Sequence, residues 1–527
     1  MSKLGLRDHK RAMIKCSARS VVALAFGLLA LAWAMTTPPL GYPDEAGHYL
    51  RAMAVGSGEW YGSPNPQVAA PQFSAHIERS CCEPDSALTL HWVALGARVV
   101  HVPAYMLPES MPCPLGRGVP PAPCGVQATT RARVGHLTVM GTLEPVPYLL
   151  PGLAANLADD PATALRLGRA ANVLICGLLL TIGVFATIDR GQARLRLLGV
   201  AVGVTPAMLF FAGSIAPSAT EIAAGFAFFA VLLRLGREDN PSSSIWVCFA
   251  LTGLALCVSR SLGPIWAVLD ICLAATLAGP RAFLRRVSSR RPPIWVWLGV
   301  VVAGALSTVW WERTHQPGVS FDPHFFLSRL RPTLADLPRV TRELVGVFGS
   351  LDVNMRSWAY IAWDLLAGTL VALAFVLGRW RERFVLILAF GLNVVAAEIV
   401  SAAVLNQRGF GLQGRHVLAF AVTAPLLAGE IVSRHGARVA ARLRFAYLGV
   451  VIVATVGIHG SALRAAGLQY SWLTRRSGGP TLPPGGREVW VTVIAVVLAA
   501  LVAVGIQSMR RELRCRDPED SRNPGVA

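Results

Sequence analysis

The chain has 527 residues, of which 54% are hydrophobic and only 15% are charged, and its mean hydropathy is +0.50. Ordinary soluble domains carry about 25% charged residues, so this composition excludes a soluble globular protein. The formal net charge of +19 would suggest nucleic acid binding in a soluble chain, but the basic residues lie mostly in short clusters between apolar runs, which is typical of a membrane protein.

Apolar runs long enough to cross a bilayer as helices recur along the whole chain. The first run follows a basic leader, as in a secretory signal, but no convincing small-residue cleavage site follows it, so we interpret it as an uncleaved anchor. The sequence predicts an all-α integral membrane protein with about twelve spans of the length that a bilayer requires. They lie at about residues 20–37, 162–188, 196–213, 219–235, 244–259, 262–279, 293–311, 358–378, 383–405, 416–433, 443–459 and 488–507.

Charge bias between the spans predicts the topology. If both termini are cytoplasmic, the short cytoplasmic segments hold more than half of the 49 Lys and Arg residues, and the much longer outer segments hold the rest. This positive-inside pattern predicts a multi-pass protein of the plasma membrane with both termini in the cytoplasm. We expect a basic N-terminus at 1–19, a membrane domain at 20–507 and a charged, disordered cytoplasmic tail at 508–527.

Two long segments lie outside in this topology, at about 38–161 and about 312–357. Within the first, 88–107 and 146–161 are partly apolar and amphipathic. This pattern predicts helices that lie on the outer leaflet or pack on the bundle. A small soluble lobe is the alternative.

Four cysteines fall in the first outer segment: Cys81, Cys82, Cys113 and Cys124. Thiols outside the cytoplasm can pair, and a bond between Cys113 and Cys124 would close a short Pro-rich loop. The sequence does not decide among the three possible pairings. We expect a loop-stabilising disulfide rather than a zinc site, because the adjacent cysteines lack ligand spacing and no suitable histidine pair lies nearby.

The stretch GYPDEAGHYLRA, residues 41–52, follows the first span and brings together Asp44, Glu45, His48 and Arg51. In a helix with Asp44 as N-cap, His48 and Arg51 fall at i+4 and i+7 on one stripe. An N-cap and an acidic first turn also have a purely structural interpretation, because both stabilise a helix. In the functional interpretation one carboxylate accepts a proton from a hydroxyl, while His48 and Arg51 donate to an anionic leaving group such as a phosphate. A divalent cation bound by the two acids and His48 is a further alternative.

Arginines at helix mouths on the predicted outer side are a second unusual feature, because the positive-inside rule disfavours them there. These are Arg260, Arg356, Arg408 and Arg415. Any one of them could be a solvated loop charge. Together they favour a phosphate-binding rim, because the guanidinium fork matches phosphate oxygens.

Two acids lie within apolar spans, Asp270 and Glu398. Such residues normally face the interior of a helical bundle, either as hydrogen-bonded contacts or as proton and ion relays. We favour buried contacts, because the broken helices and internal pseudo-symmetry of transporters are not evident in the sequence.

Three short motifs carry a family resemblance. The first is PDE-x-x-H-x-x-R-A, the second is G-x-L-D, and the third is Q-G-R-Y with histidine in place of tyrosine. They are matched by Pro43, Asp44, Glu45, His48, Arg51 and Ala52, by Gly349, Leu351 and Asp352, and by Gln413, Gly414, Arg415 and His416. With these motifs the chain resembles a widespread family of bacterial polytopic membrane proteins catalogued as a domain of unknown function.

That family is similar to the integral-membrane glycosyltransferases of GT-C architecture, and residues 143–174 resemble the passage that leads into their second span. The resemblance implies a GT-C-like fold in which an acid of the first outer loop is the catalytic base, here Asp44 with Glu45 as the alternative. It implies transfer of a sugar from a polyprenyl-phosphate carrier to an envelope polysaccharide or glycolipid acceptor on the outer face. It also implies no metal and no cofactor.

The lipid phosphate would then be bound by side chains of the first and third motifs and of the outer rim. The candidates are His48, Arg51, Gln413 and Arg415, with Arg260 and Arg356 as further ones. Tyr42, Trp60 and Tyr61 could stack on sugar, although interfacial aromatics also anchor proteins in membranes. The alternatives are a transporter or flippase of lipid-linked saccharide, and a non-catalytic partner in an envelope-synthesis complex.

Overall fold

The computed structural model describes residues 3–65, 96–107, 131–188, 195–283, 294–316, 323–408, 412–473 and 482–514. Within these ranges the protein is mostly helical, as the sequence predicts. The α-helices in chain order are α1 (Lys3–Thr36), α2 (Glu45–Gly56), α3 (Val146–Ala155), α4 (Pro161–Thr187), α5 (Arg196–Gly203), α6 (Pro206–Ala212), α7 (Pro217–Arg237), α8 (Ser243–Ser259), α9 (Gly263–Ala278), α10 (Ile294–His315), α11 (Pro323–Gly346), α12 (Ser357–Leu377), α13 (Trp380–Arg408), α14 (Leu418–Ala421), α15 (Thr423–His435), α16 (Ala441–Gln469) and α17 (Arg487–Arg514). The strands are β1 (Ser63–Pro64), β2 (Arg98–Pro103), β3 (Arg133–Thr138), β4 (Val347–Phe348) and β5 (Val353–Asn354).

The structure agrees with an all-α membrane protein, but it supports fewer continuous spans than the sequence predicts. Among the described residues, eight helices are long and apolar enough to cross a membrane. These are α1, α4, α7, α10, α12, α13, α16 and α17. α8 and α9 are apolar, but their 17 and 16 residues lie at or below the lower end of the roughly 17–25 residues of a span.

The predicted span at 196–213 consists of two short helices instead of one. α5 ends at Gly203 and α6 begins at Pro206. Proline lacks an amide hydrogen, so it fits the first turn of a new helix and not the interior of a continuing one. The Thr205 hydroxyl accepts a hydrogen bond from the Met208 amide at 3.3 Å and caps α6. These local groups break a segment that hydropathy alone predicts as continuous.

The predicted span at 416–433 starts irregularly but then continues as a helix, because Val422 has right-handed helical dihedrals and the Leu426 amide donates to the Val422 carbonyl. It begins in the 3-10 turn Gly414–His416 and continues as α14 and α15, which meet at Val422. This segment packs closely against α5, since a Cβ built on Gly199 would lie only 2.6 Å from the carbonyl oxygen of Pro425. The broken span at 196–213 therefore adjoins α15 inside the bundle.

α7 is the central helix of the bundle. Almost all of its residues are buried, including Phe226, Phe228 and Phe229, and it packs against α4, α8 and α9. The outer helices α10, α12, α13, α16 and α17 expose apolar side chains instead, such as Leu306 and Ile387. Extensive exposed apolar surface of this kind is expected where helices face lipid.

A small lobe covers one end of the bundle. It comprises residues 37–65, 96–107 and 131–160, in which α2 packs on α3 and beside the antiparallel sheet β1-β2-β3. α3 confirms a helix in the first ten residues of the amphipathic stretch at 146–161. Its exposed side chains include Leu150, so it presents an apolar face that suits a membrane surface.

The sheet of the lobe overturns one prediction, the amphipathic helix at 88–107. In the described part of that stretch, β2 pairs with β3 over its full length. The β-branched residues Val99, Val100 and Val102 favour an extended backbone, and pairing with β3 satisfies its amide and carbonyl groups. A strand of six residues is too short for its hydrophobic periodicity to distinguish it from part of a helix.

The second predicted outer segment, at about 312–357, contains α11 and the hairpin β4-β5. In the turn of this hairpin, Gly349 and Leu351 have positive φ angles of 66° and 70°. Glycine adopts such a φ without the strain that other residues incur, which favours Gly349 in this turn. The second family motif is therefore a tight turn.

Three predictions concern the chain ends and the cysteines. α17 continues to Arg514, so the described part of the charged tail is helical where the sequence predicts disorder, and 515–527 lie outside the described residues. Cys81, Cys82, Cys113 and Cys124 also lie outside them. The cytoplasmic location of both termini stays a prediction from charge.

Candidate functional site

Asp44 connects α1 to α2 with an unusual backbone conformation. Its φ of 58° and ψ of 13° lie in the left-handed region, which costs a non-glycine residue roughly 1–2 kcal/mol. Although Asp44 occupies the N-cap position, its side chain makes no capping hydrogen bond. The carboxylate instead pairs with the Arg415 guanidinium and keeps 45% of its surface exposed. The N-cap interpretation therefore explains the position of Asp44 but not the direction of its side chain.

A turn that packs tightly on α11 positions Arg415 beside Asp44. The Glu343 carboxylate accepts a hydrogen bond from the Gly414 amide at 2.6 Å and pairs with Arg339, which donates to the Leu412 carbonyl at 2.7 Å. A Cβ on Gly414 would lie 2.6 Å from the Cβ of Glu343, so only glycine permits this approach. The third family motif thus positions Arg415, whose side chain is buried.

The electrostatic surroundings keep Asp44 ionised. Burial acts to raise the pKa of the Asp44 carboxyl, but the Arg415 guanidinium, with smaller effects of His48 and Arg260, outweighs it and holds that pKa below its usual value. Arg260 caps the end of α8, and its guanidinium lies 3.5 Å from the Glu221 carboxylate. Two of the predicted arginines, Arg260 and Arg415, therefore lie near an ionised and partly exposed carboxylate.

Glu45, the alternative base, has a different environment. Its carboxylate accepts two hydrogen bonds from Arg169, at 2.7 and 2.6 Å, and both side chains are almost completely buried. Arg169 also donates to three carbonyl groups at and after the end of α1, those of Ala34, Thr37 and Pro38. The pair joins α4 to the connection between α1 and α2. Its geometry favours a structural role for Glu45 over the predicted catalytic one.

His48 does not take the predicted position at a phosphate. Its Nδ1 lies 2.6 Å from the hydroxyl of Tyr148, and the side chain is buried. Burial lowers the pKa of His48 to about 3, against a smaller opposing effect of Asp44. The imidazole is therefore neutral at physiological pH and carries no charge for a phosphate.

Arg51 is likewise turned away from Asp44. Its side chain is completely buried in the lobe, where Nη2 donates to the carbonyls of Trp60 and Leu143 at 2.8 and 2.7 Å. Burial lowers the pKa of Arg51 to about 10. Its Nε and Nη1 have no hydrogen-bond partner among the described residues. Arg51 and His48 lie on the same stripe of α2, as their spacing predicts. Arg51 is, however, two helical turns away from Asp44.

The remaining predicted residues lie in mixed positions. Arg356 is exposed at the start of α12, and no contact in the described ranges joins it to Asp44. Gln413 precedes the turn that holds Arg415, and its Oε1 is buried without a hydrogen-bond partner in the described structure. The side chain of Arg408 lies outside the described residues. Tyr42 is buried under Arg169 and cannot stack on a sugar.

The structure contains a second acidic cluster that the sequence does not predict. The carboxyl groups of Glu144 and Glu312 lie within hydrogen-bond reach of each other, with the buried Tyr148 nearby. Burial and the charge of Glu312 raise the pKa of Glu144 well above its usual value. The only sequence signal is an acid beside Pro145 at the start of an apolar helix, and nothing links it to Glu312.

The described residues contain no group of three or more metal-binding side chains. The cation site considered for Asp44, Glu45 and His48 does not assemble, because the first faces Arg415, the second Arg169 and the third Tyr148.

A largely apolar cavity of about 420 Å³ adjoins the turn that carries Arg415. Val417 and Leu418, directly after this turn, form part of its wall. The rest comes from α5, Thr205, α11, α12, α13, α14 and α15, so the cavity lies beside the break between α5 and α6. Phe390 and Val394 on its rim are exposed on the outer surface of the bundle. The cavity can therefore admit an apolar chain from the lipid side, and its volume falls within the usual range of ligand sites.

Comparison with known proteins supports the resemblance seen in the motifs. The family described as predicted membrane protein (DUF2142) matches residues 26–424. This range includes all three motifs and every candidate site residue named above. No protein of curated function matches the chain. The chain therefore belongs to the DUF2142 family of predicted membrane proteins, whose function is unknown.

Proposed function

We propose that this membrane protein is a glycosyltransferase of GT-C type that moves a sugar from a polyprenyl-phosphate carrier to an envelope polysaccharide or glycolipid on the outer face. The observation that carries the proposal is the state of Asp44. It is an ionised carboxylate, partly exposed, held in a strained backbone and paired with an arginine at the lobe end of the bundle. Strained residues and incompletely buried charges concentrate at functional sites.

In the proposed reaction Asp44 is the general base. The acceptor hydroxyl attacks the anomeric carbon of the sugar while its proton passes to the Asp44 carboxylate. The bond between that carbon and the carrier phosphate breaks, and its electron pair leaves on the phosphate oxygen. Arg415 and Arg260 offset the charge that develops on this phosphate. Neither a metal nor a cofactor takes part in the proposed step.

The cavity behind Arg415 supports a lipid-linked donor. Its apolar walls suit isoprenoid units, and its rim at Phe390 and Val394 opens where the bundle faces lipid. A carrier whose first units occupy this cavity would have its phosphate near Arg415. A nucleotide-linked donor has no long apolar chain that could occupy such a cavity.

The test is a profile of lipid-linked sugars in cells that carry the wild-type protein or Asp44→Asn. We expect one polyprenyl-phosphate sugar to accumulate in the variant, because the donor is made but not consumed. Asp159→Asn is the matched control, since Asp159 is exposed on the lobe and the same charge is removed. An unchanged profile in Asp44→Asn cells, at wild-type protein levels, would refute the proposal.

Two observations favour the rival function, transport of a lipid-linked saccharide. The break between α5 and α6 interrupts a helix inside the bundle, as in many transporters. Asp270 is completely buried, and neither carboxylate oxygen has a hydrogen-bond partner in the described ranges. Glu398, by contrast, accepts a hydrogen bond from Thr333 at 2.7 Å. Loss of function in Asp270→Asn together with full function in Asp44→Asn would favour transport.

A non-catalytic role in an envelope-synthesis complex is tested by Asp44→Ala alone. A double replacement that includes Glu45 would also remove the buried pair with Arg169 and confuse loss of folding with loss of activity. Full function of folded Asp44→Ala would favour the non-catalytic role.

A further inference from the structure

We propose that Glu144, Glu312 and Arg51, with the aromatic rings of Tyr61 and Trp311, form a sugar subsite that binds the hydroxyl groups of a neutral sugar ring. The inference rests on the proposed function, since it assigns the place of a sugar beside the proposed base. It goes beyond that function in naming a binding surface in the lobe.

Two hydrogen bonds hold Glu144 between the lobe and the bundle. Trp311 of α10 donates from its indole nitrogen to the Thr142 carbonyl at 2.8 Å, and Arg51 of α2 donates to the Leu143 carbonyl at 2.7 Å. The Glu144 side chain is therefore buried between α2 and α10, within hydrogen-bond reach of Glu312. Glu312 is only half-buried, so the pair is accessible from its side.

Buried polar atoms without partners point into this subsite. Oε1 of Glu144 has no hydrogen-bond partner in the described structure, and Nε and Nη1 of Arg51 also have none. The charge of Glu144 and the phenol groups of Tyr61 and Tyr148 are among the nearest electrostatic neighbours of Arg51. Native structures rarely leave such atoms unpaired, so a ligand or water completes their hydrogen bonds.

The donors and acceptors of the subsite match sugar hydroxyls. Two carboxyl groups in one confined space share a proton, which gives the pair one donor and several acceptors. Arg51 adds further donors at Nε and Nη1, which have no partner among the described residues. Each sugar hydroxyl both donates and accepts, so adjacent hydroxyls can satisfy both kinds of group. The charge of Arg260, at the end of α8, also acts on Glu144, so it faces the pair together with Arg51 and Glu312.

Aromatic rings form a second wall. Trp311 stacks on His315 with ring centroids 3.9 Å apart, and Tyr61 contacts His315 edge-on at 4.6 Å. Arg98 fixes the Tyr61 hydroxyl with a hydrogen bond of 2.9 Å. His315 covers one face of Trp311, and Arg98 lies over one face of Tyr61. The opposite faces of these fixed rings would give the apolar face of a sugar ring an apolar surface at low entropic cost.

Tyr148 connects the sugar subsite with the proposed base. Its hydroxyl lies 2.6 Å from His48, and the charges of Glu144 and Asp44 both act on it. A sugar held at Glu144 would therefore lie on the same side of the lobe as Asp44. Sequence reasoning could not find this link, because it joins separate parts of the chain.

The test uses the full chain in lipid nanodiscs and the fluorescence of its tryptophans. Glucose, galactose, mannose and N-acetylglucosamine are each titrated between pH 5 and pH 9. We expect a saturable change with at least one sugar, and at least a tenfold weaker apparent affinity in Glu312→Ala and Glu144→Ala. Trp310→Phe is the matched control, because Trp310 is exposed beside Trp311 and is not part of the subsite. Its affinity should equal that of the wild type.

The pH dependence separates a binding role from a structural one. Wild-type affinity should fall as the pH rises and the shared proton is lost. Glu144→Gln should keep the affinity at neutral pH and lose this fall, because the amide donates a hydrogen bond at every pH. A merely structural Glu144 would alter the melting temperature without altering the pH profile. No saturable response in folded wild-type protein, or wild-type affinity in Glu312→Ala and Glu144→Ala, would overturn the inference.

Asp44→Asn distinguishes this inference from the proposed function. It should still bind the free sugar, so sugar binding together with an unchanged lipid-linked sugar profile would refute only the glycosyltransferase. A synthetic polyprenyl-phosphate glucose identifies the source of the sugar. Competition with the free sugar supports a subsite for the donor, and simultaneous binding supports a subsite for the acceptor.

Discussion

The two ends of the bundle contain charged clusters of opposite character. At the end away from the lobe, the Glu430 carboxylate is surrounded by three arginines, Arg196, Arg237 and Arg434, at 2.9, 2.7 and 2.9 Å. At the lobe end, Asp44 pairs with Arg415 and remains partly exposed. Charges that saturate one another hold helices together, whereas incompletely satisfied charges are available to a ligand.

The same contrast separates two adjacent residues. Glu45 is buried in a bidentate pair, while Asp44 points from a strained backbone toward an exposed site. Because Asp44 and Glu45 are adjacent in the sequence, a shared role would be expected. Their side chains nevertheless lie in different environments. Removing either charge should therefore produce different defects.

The largest expected effect is on catalysis. Asp44→Asn keeps the shape of the side chain but cannot accept a proton, so sugar transfer should fall by about 10²–10⁴-fold. The melting temperature should fall less than in Glu45→Gln, because the Asp44 carboxylate is partly exposed whereas that of Glu45 is buried. Transfer from a radiolabelled lipid-linked donor in isolated membranes measures the rate. A wild-type transfer rate in Asp44→Asn would show that Asp44 is not the general base.

Glu45→Gln should destabilise the protein instead. It leaves the buried Arg169 without a compensating charge, which typically costs about 3–5 kcal/mol. Thermal unfolding in detergent measures this loss. Glu238→Gln is the control, since its pair with Arg234 is partly exposed and should contribute no more than about 1 kcal/mol.

Glu430→Gln extends the comparison to the opposite end of the bundle. We expect a stability loss of the same order as in Glu45→Gln, about 3–5 kcal/mol, because three arginines lose their shared buried partner. The rate per folded molecule should be unchanged. A reduced rate at full stability would show that this end also takes part in function.

Gly414→Ala should have a smaller effect on both properties. Its Cβ would force α11 and the turn apart, and overpacking of this kind costs typically about 1–3 kcal/mol. Because the same turn places Arg415, activity should also fall. Gly391→Ala is the matched control, as a Cβ there meets no atom within 4 Å. Equal stability of both variants would contradict the packing argument.

Much of this architecture is predictable from the sequence, and the exceptions have physical reasons. Hydropathy locates the long spans, because lipid requires long apolar helices. It fails at 196–213, where Thr205 and Pro206 end one helix and start another. At 88–107 the strand pairing that decides the structure comes from a distant segment, which no local pattern shows.

The candidate site divides in the same way. The motifs single out Asp44 and Arg415 from the amino-acid sequence alone, and the structure brings the two side chains into an ion pair that the motifs do not predict. Helical spacing places His48 and Arg51 on one stripe, but the lobe buries both, and burial depends on residues far away in sequence. Glu144 and Glu312 carry no shared sequence signal, because their meeting depends on how the lobe docks on α10.

The smallest expected effect concerns the pH dependence of sugar transfer, which tests whether the pair with Arg415 keeps Asp44 ionised. The pKa of Asp44 lies below its usual value because Arg415 outweighs the opposing effect of burial. The carboxylate form is therefore kept to low pH, and activity should fall only when the pH drops through that lowered pKa. In Arg415→Gln the opposing effect of burial remains and the pKa should rise, so the acidic decline should begin at higher pH. Arg356→Gln, exposed at the start of α12, should leave the midpoint unchanged. Identical midpoints in all three proteins would show that the pair with Arg415 does not set the protonation of the base.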